Sequence, residues 1–142
     1  MYLLQNKWGL FKNHFFHGFV SGIMAAIAAI IYNRIHAFAT EADFSRIINL
    51  GTIISFNLFV CLLFSIAYFF FLKLWKKKRI IFFHVIISIL SFAAIILPIS
   101  VSLPLDIKNP ELFPGLAVPM MFFPVIAWYT FKPLFNDFEI KP

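Results

Sequence analysis

Four long uncharged stretches alternate with short charged connections along the chain. They cover residues 14–33, 47–72, 80–103 and 113–131, and each is rich in aliphatic and aromatic side chains. About 20 apolar residues in a helix are enough to cross a hydrocarbon core of about 30 Å. The pattern therefore predicts an all-α fold, a four-helix transmembrane bundle that forms a single domain.

The distribution of charge predicts how such a bundle lies in the membrane. Only 13% of the 142 residues are charged and the mean hydropathy is +0.91, whereas soluble domains carry about 25% charged residues. The amino-terminal segment, the connection 73–79 and the carboxyl-terminal tail hold two, five and two basic residues, which is nine of the twelve Lys and Arg. Because Lys and Arg concentrate in loops that stay inside, both termini are expected in the cytoplasm.

The net charge of +6 is better explained by a membrane than by nucleic acid. No polar surface remains to present a basic patch to nucleic acid, whereas an anionic leaflet attracts basic connections. We expect a multi-pass protein of the bacterial inner membrane, and the Phe-, Ile- and Lys-rich composition fits an AT-rich genome. The residues expected to contact anionic headgroups at the cytoplasmic face are Lys73, Lys76, Lys77, Lys78 and Arg79.

The first stretch carries small residues at helical spacing. Gly18 and Gly22 form a GxxxG pair, and Ala25 and Ala29 continue the same face. Small residues let a neighbouring helix approach closely, so this face is predicted to pack against a helix of the same chain or of another copy. A cleaved signal peptide is the competing interpretation of the stretch, because it has a basic start and alanines that offer cleavage sites.

Few polar side chains lie inside the predicted spans. Asn57 is expected to form an interhelical hydrogen bond, either as a structural bridge or as a contact for a substrate. Ser88 and Ser91 share a helix face with His84, because the successive spacings are four and three residues. Pro98 is expected to kink the outer part of the third helix, since proline removes a helix hydrogen bond.

Further prolines and a capping sequence predict where helices are irregular or end. Pro119 and Pro124 free backbone carbonyls that neighbouring groups must meet. Thr40 is expected to cap a short helix that leads into the second span, with Asp43 three residues on. The last helix is expected to end at Pro133.

Three histidines form the one group of side chains that could bind a metal or a haem. His14 and His17 lie three residues apart on the first helix and His84 lies about one turn inside the third, so topology places all three near the cytoplasmic interface. Neutral imidazoles can bind a metal or haem. No carboxylate is evident nearby to orient them, so no metal site or other cofactor is predicted, and the three histidines remain weak candidates.

Motifs of soluble enzymes are missing from the sequence. It contains no phosphate-binding glycine loop, no paired cysteines and no HExxH, and its single Cys61 cannot form an internal disulfide. None of the four stretches contains a carboxylate, although proton-coupled transporters usually carry an ionisable residue in a span. The small multidrug exporters share the size and the four helices but depend on an acidic residue in the first span. No catalytic residue is therefore predicted.

Two short motifs carry a family resemblance. The run Asp43-Phe44-Ser45 with Ile48-Asn49 and Gly51, and the run from Val118 to Pro124, resemble a group of small bacterial four-helix integral membrane proteins of uncharacterised function. In that group a histidine often follows the Pro-Met pair, whereas this chain has Met121. The resemblance implies the architecture and no activity.

Three hypotheses of function stay open at this point. The first is a non-enzymatic accessory, scaffold or self-associating subunit, which could form a homo-oligomer or join a larger membrane complex. The second is a small transporter or channel for a neutral or lipidic substrate, with Asn57, the serines of the third helix and the freed carbonyls lining a path. The third is a membrane enzyme or cofactor carrier that uses the histidines.

Overall fold

A computed structural model describes residues 2–74, 80–104, 107 and 109–136. These residues form helices and connections, with no strand among them. The helices are α1 (Tyr2–Thr40), α2 (Leu50–Leu74), α3 (Ile80–Ala93), α4 (Ile96–Ser100) and α5 (Phe113–Asn136), and a 3-10 turn at Pro110–Leu112 precedes α5. Four segments are long and apolar enough to cross a membrane: Phe11–Thr40, Leu50–Leu74, Ile80–Ser100 and Pro110–Phe135. The all-helical fold with four candidate spans agrees with the sequence pattern.

The first helix is longer than its uncharged stretch. It has 39 residues and continues past Arg34, because residues 34–40 contain no glycine or proline to interrupt it. The expectation that Thr40 opens a helix is wrong. Thr40 ends α1, its hydroxyl donates to the carbonyl of His36 at 2.8 Å, and Glu41 follows with a left-handed φ of 55°, as is common just after a helix.

The connection between α1 and α2 is an ordered turn. The backbone N–H of Ser45 donates to Asp43 Oδ1 at 2.9 Å, and hydrogen bonds from Ser45 lower the pKa of the exposed Asp43 carboxyl. Asn49 then caps α2, because its Oδ1 accepts from the N–H of Thr52 at 2.9 Å. A side-chain acceptor at this position satisfies an N–H that the first turn of a helix leaves unpaired.

Proline has different effects in the last two spans. In the third span, Pro98 has no N–H for the carbonyl of Ala94, and the N–H of Leu97 takes that carbonyl at 3.1 Å instead. The helix is interrupted there between α3 and α4, where Pro98 predicts an irregularity. In contrast, α5 continues through Pro133 to Asn136, so the expected end of the last helix is wrong.

Helices α1, α2 and α5 make the core of the bundle, and α3 lies at its edge. The small residues of α1 are buried, with Ala25 at 1% and Ala29 at 0% exposure. By contrast, α3 buries only Phe83 and Ile87 among its side chains. Its remaining apolar surface faces outward, as at Ile89, which is 62% exposed. The third candidate span is therefore attached by a narrow face to a core made by the other three.

Aromatic contacts define the two ends of the bundle. Near the start of α1, the ring of Phe11 lies 5.2 Å from that of Phe69 in α2. At the other end, Phe44 lies 5.5 Å from Phe113 at the start of α5. The first end, called the basic end here, carries Lys12, Lys73 and Lys132, and the opposite end carries Arg34 and Arg46. The described basic residues thus divide between the ends as the charge pattern predicts.

Candidate functional site

Trp128 lies at the centre of the packing near the basic end. Its side chain is 0% exposed, and its indole Nε1–H donates to the hydroxyl of Ser65 in α2 at 2.9 Å. Its backbone carbonyl accepts from Nε2 of His17 in α1 at 3.0 Å. Because a carbonyl can only accept, Nε2 of His17 carries the proton in this arrangement. One residue of α5 is therefore bonded to both α1 and α2.

His84 of α3 forms a second polar group beside Trp128. The ammonium of Lys132 donates to its Nε2, so its Nδ1 carries the proton and donates to the hydroxyl of Tyr129 at 3.2 Å. That hydroxyl in turn donates to the backbone carbonyl of His84 at 3.3 Å. These bonds connect the edge helix α3 to α5.

The Lys132 ammonium also lies over two aromatic rings. It is 4.3 Å from the centre of the Tyr68 ring and 5.3 Å from that of Trp128, within the range in which a cation is attracted to a ring face. His14 completes the group, with its ring 5.4 Å from Tyr68. We call this set the aromatic–histidine cluster: His14, His17, Tyr68, His84, Trp128, Tyr129 and Lys132.

The cluster brings the three predicted histidines into one region, where they serve hydrogen bonding and ring contacts. Nε2 of His17 is bonded to a carbonyl and both ring nitrogens of His84 have partners, so a ligand would have to displace these bonds. The described residues contain no group of three or more His, Cys, Asp or Glu that could hold a metal ion. The arrangement is suited to joining helices.

The small-residue face of α1 is occupied within the chain. A Cβ on Gly18 would lie 2.7 Å from Ser65 Oγ and 2.9 Å from the carbonyl oxygen of Cys61. A Cβ on Gly22 would lie 2.9 Å from the Cα of Leu58. Both glycines thus allow α2 to approach α1 more closely than any larger residue would. Of the two partners that the sequence leaves open, this face contacts a helix of the same chain.

Asn57 does not form the interhelical hydrogen bond that its position predicts. Its Nδ2 donates to the carbonyl of Ile53 in its own helix at 2.8 Å, and its Oδ1 has no hydrogen-bond partner among the described residues. The residue is nevertheless 1% exposed. That expectation is therefore wrong for the described part of the chain, and a buried acceptor is left over.

A cavity lies beside Asn57, between α2, α4 and α5. Its volume is about 220 Å³. We call it the Asn57 cavity, and its lining includes Thr52, Ile53, Asn57, Pro98, Ala117 and Met120. The predicted serines are elsewhere: Ser91 donates to the carbonyl of Ile87 at 2.7 Å, and Ser88 is an exposed residue of α3. The path proposed for a transporter is therefore assembled only in part.

The carbonyl of Gly115, which Pro119 leaves without its helix partner, accepts a hydrogen bond from another helix, as the prolines predict. Pro119 offers no N–H to the carbonyl of Gly115, and the hydroxyl of Tyr32 in α1 donates to that carbonyl at 2.8 Å. Pro124 has the same effect on the carbonyl of Met120, a residue of the Asn57 cavity.

Of the residues predicted to bind headgroups, the structure describes only Lys73, which is exposed at the end of α2. The other four, Lys76, Lys77, Lys78 and Arg79, lie outside the described residues.

The sequence does not by itself assign Lys132, Ser65 or Tyr68 to this site. The charge pattern assigns Lys132 to the carboxyl-terminal tail. Its spacing of four from Trp128 and three from Tyr129 nevertheless places the three residues on one helix face. Ser65 and Tyr68 of α2 share a face in the same way, three residues apart. These spacings were a usable signal, but only the packing of α5 against α2 shows that the two faces meet.

Comparisons with known proteins identify no family for the chain. No protein-family model matches the chain, no curated protein does, and no solved structure does. The resemblance to small bacterial membrane proteins therefore stays a prediction.

Proposed function

We propose that the chain acts by packing, as a small non-enzymatic accessory or scaffold subunit of a membrane. The observation that carries this proposal is the bonding of Trp128 to His17 and to Ser65. These polar groups are used to hold α1, α2 and α5 together. A catalytic task would require His17 Nε2, the Trp128 carbonyl and the Ser65 hydroxyl to give up these bonds.

The proposal includes an orientation in a bacterial inner membrane, with both termini in the cytoplasm. The grouping of Lys12, Lys73 and Lys132 at one end supports it, because basic residues favour the inner side. At that side the basic end would meet anionic headgroups, which attract each nearby Lys or Arg by about 1 kcal/mol. Reporter fusions at Asp43 and Lys77 test the orientation, and an external report from Lys77 would contradict it.

Contact with a partner would use a surface other than the glycine face of α1. Gly18 and Gly22 already contact α2, so self-association through them is not proposed. The third candidate span, which contains the edge helix α3, has the smallest buried share of the four, 11% of its most apolar window. We propose that a partner, another copy or a different membrane protein, lies against this helix.

Native mass spectrometry of the gently extracted protein tests whether a partner exists. A second protein or a defined homo-oligomer is the expected result, and a bare monomer with lipid alone under every mild extraction condition would contradict the scaffold proposal. The same spectra weigh any metal or haem. A mass that matches a cofactor, lost after joint replacement of His17 and His84 by Ala, would favour the cofactor hypothesis instead.

Site-directed photocrosslinking tests where the partner lies. A photoreactive residue at Ile89 of α3 should yield a protein adduct. Phe59 of α2 is the matched control, because it is similarly exposed, at 66% against 62%, and also lies in a span. Equal adducts at both positions, or lipid adducts alone at Ile89, would contradict the assignment of α3.

A further inference from the structure

The Asn57 cavity has the properties of a binding site for a small part of a lipid. It contains an acceptor that folding does not use: Oδ1 of Asn57 has no partner among the described residues, although the residue is 1% exposed. Only the amide N–H₂ can bond the carbonyl of Ile53 at 2.8 Å, so that bond fixes which end of the side chain is Oδ1. The remaining end is the acceptor left for a ligand.

The other polar side chain in the lining, Thr52, is already engaged. Its hydroxyl donates to the carbonyl of Asn49 at 2.8 Å and accepts from the N–H of Asn49 at 2.9 Å. Asn57 therefore presents the one uncommitted polar side-chain atom in the described lining. A ligand that completes this site must donate one hydrogen bond and fill the remaining space with apolar atoms.

Water is poorly suited to this cavity. A buried water typically makes about three hydrogen bonds, whereas the described lining offers it at most two acceptors, Asn57 Oδ1 and the carbonyl of Met120 that Pro124 leaves without its helix partner. A charged ligand is also unsuited, because no described lining residue carries a compensating charge and an unpaired charge in hydrocarbon is expensive. The site thus favours a neutral molecule with a hydroxyl group.

The volume limits how much of the ligand is enclosed. A cavity of about 150 Å³ takes one benzene molecule, so the 220 Å³ measured here would take about nine carbon-sized atoms. A long-chain lipid would therefore enter with one end, while the rest of its chain lies among the membrane lipids. The hydroxyl at that end would reach Asn57.

We propose that the Asn57 cavity binds the hydroxyl-bearing end of a neutral long-chain lipid, with Asn57 Oδ1 accepting the hydrogen bond from the hydroxyl. This site does not depend on the scaffold role or on a partner at α3. It also accounts for a deeply buried amide acceptor that makes no contact holding the bundle together.

Paired photoreactive probes test the proposal. The purified full chain in phosphatidylcholine vesicles is irradiated with a long-chain alcohol that carries a diazirine near its hydroxyl end, or with the methyl ether of the same molecule, which has no donor. The alcohol should label the segment around Met120 and Met121 about tenfold more strongly, the factor that one interhelical-type hydrogen bond in a membrane supplies. Equal labelling of the wild-type chain by both probes would overturn the proposal.

Three variants locate the effect. Asn57→Leu should abolish the preference for the alcohol over the ether, and Ala117→Phe, which fills the cavity, should reduce labelling by both probes. Ser21→Ala is the matched control, because Ser21 Oγ also lacks a partner among the described residues but does not line the cavity, and it should keep the tenfold preference. The ratio of the two probes does not depend on the amount of folded protein. A preference that survives in Asn57→Leu would overturn the proposal.

Discussion

The two halves of the bundle treat equally buried polar side chains in different ways. Near the basic end, His17 is 2% exposed and bonded to the carbonyl of Trp128. In the opposite half, Asn57 is 1% exposed and its Oδ1 has no partner among the described residues. Burial alone therefore does not indicate the role of a polar residue in a candidate span.

The two residues differ in whether folding supplies a hydrogen-bond partner on another helix: His17 has one, and Asn57 Oδ1 has none among the described residues. A polar group in hydrocarbon that is bonded to another helix stabilises the packing of the two helices. A buried acceptor without a partner costs about 1–3 kcal/mol, so it lowers stability until a ligand supplies the donor. Folding supplies partners for the polar groups of His17 and Trp128, whereas it supplies none among the described residues for Asn57 Oδ1.

The largest loss of stability should come from replacing Trp128, the residue at the centre of the aromatic–histidine cluster. Trp128→Ala should lower the free energy of unfolding by about 3 kcal/mol, which is the lower limit for such a change in soluble cores. We expect the lower limit because the Trp128 side chain stays in apolar surroundings when the helices separate in a micelle. Reversible unfolding in mixed detergent micelles measures it. Phe59→Ala, at a residue that is 66% exposed, is the control, and equal losses would show that Trp128 is not central.

A somewhat smaller effect is expected from the glycine contact between α1 and α2. Gly22→Ala places a Cβ about 2.9 Å from the Cα of Leu58, and such overpacking typically costs 1–3 kcal/mol. Gly9→Ala is the matched control on the same helix, because a Cβ there would meet nothing within 4 Å. It should be neutral or slightly stabilising. The interpretation fails if Gly22→Ala is as well tolerated as Gly9→Ala.

The architecture could be predicted from the sequence because hydrocarbon imposes a simple pattern. Long uncharged stretches indicate the four candidate spans, and the spacing of Gly18 and Gly22 indicates a close helix contact. The partner of that contact could not be derived, because GxxxG says nothing about which helix fills it. Helix ends were also uncertain: α1 runs through Arg34 to Thr40, since interfacial charges do not themselves stop a helix.

The site could be predicted only as a set of separate residues. The three histidines share one region, as topology suggests, but their bonding depends on where Trp128 and Lys132 lie across the bundle. Sequence rules correctly indicate that a buried Asn seeks a partner. They cannot indicate that Asn57 satisfies only one end of its amide, because this depends on the space between α2, α4 and α5.

A still smaller loss of stability is expected where the carbonyl of Gly115, in the opposite half, accepts a hydrogen bond from Tyr32. Tyr32→Phe removes the bond to the carbonyl of Gly115 and should cost about 1 kcal/mol. Pro119→Ala supplies an N–H for the same carbonyl, so Tyr32→Phe should cost much less in that background. A double-mutant cycle in micelles measures the difference. Additive losses would mean that Tyr32 does not compensate for Pro119.

The central claim is that His17 is used in folding and Asn57 is not. Unfolding of His17→Leu and Asn57→Leu, measured side by side in micelles of a detergent that lacks hydroxyl groups, tests it most directly. His17→Leu should lose about 1 kcal/mol, the scale of a hydrogen bond between membrane helices. Asn57→Leu should be unchanged or more stable, because it removes an unpaired buried acceptor. A loss from Asn57→Leu as large as that from His17→Leu would contradict the account.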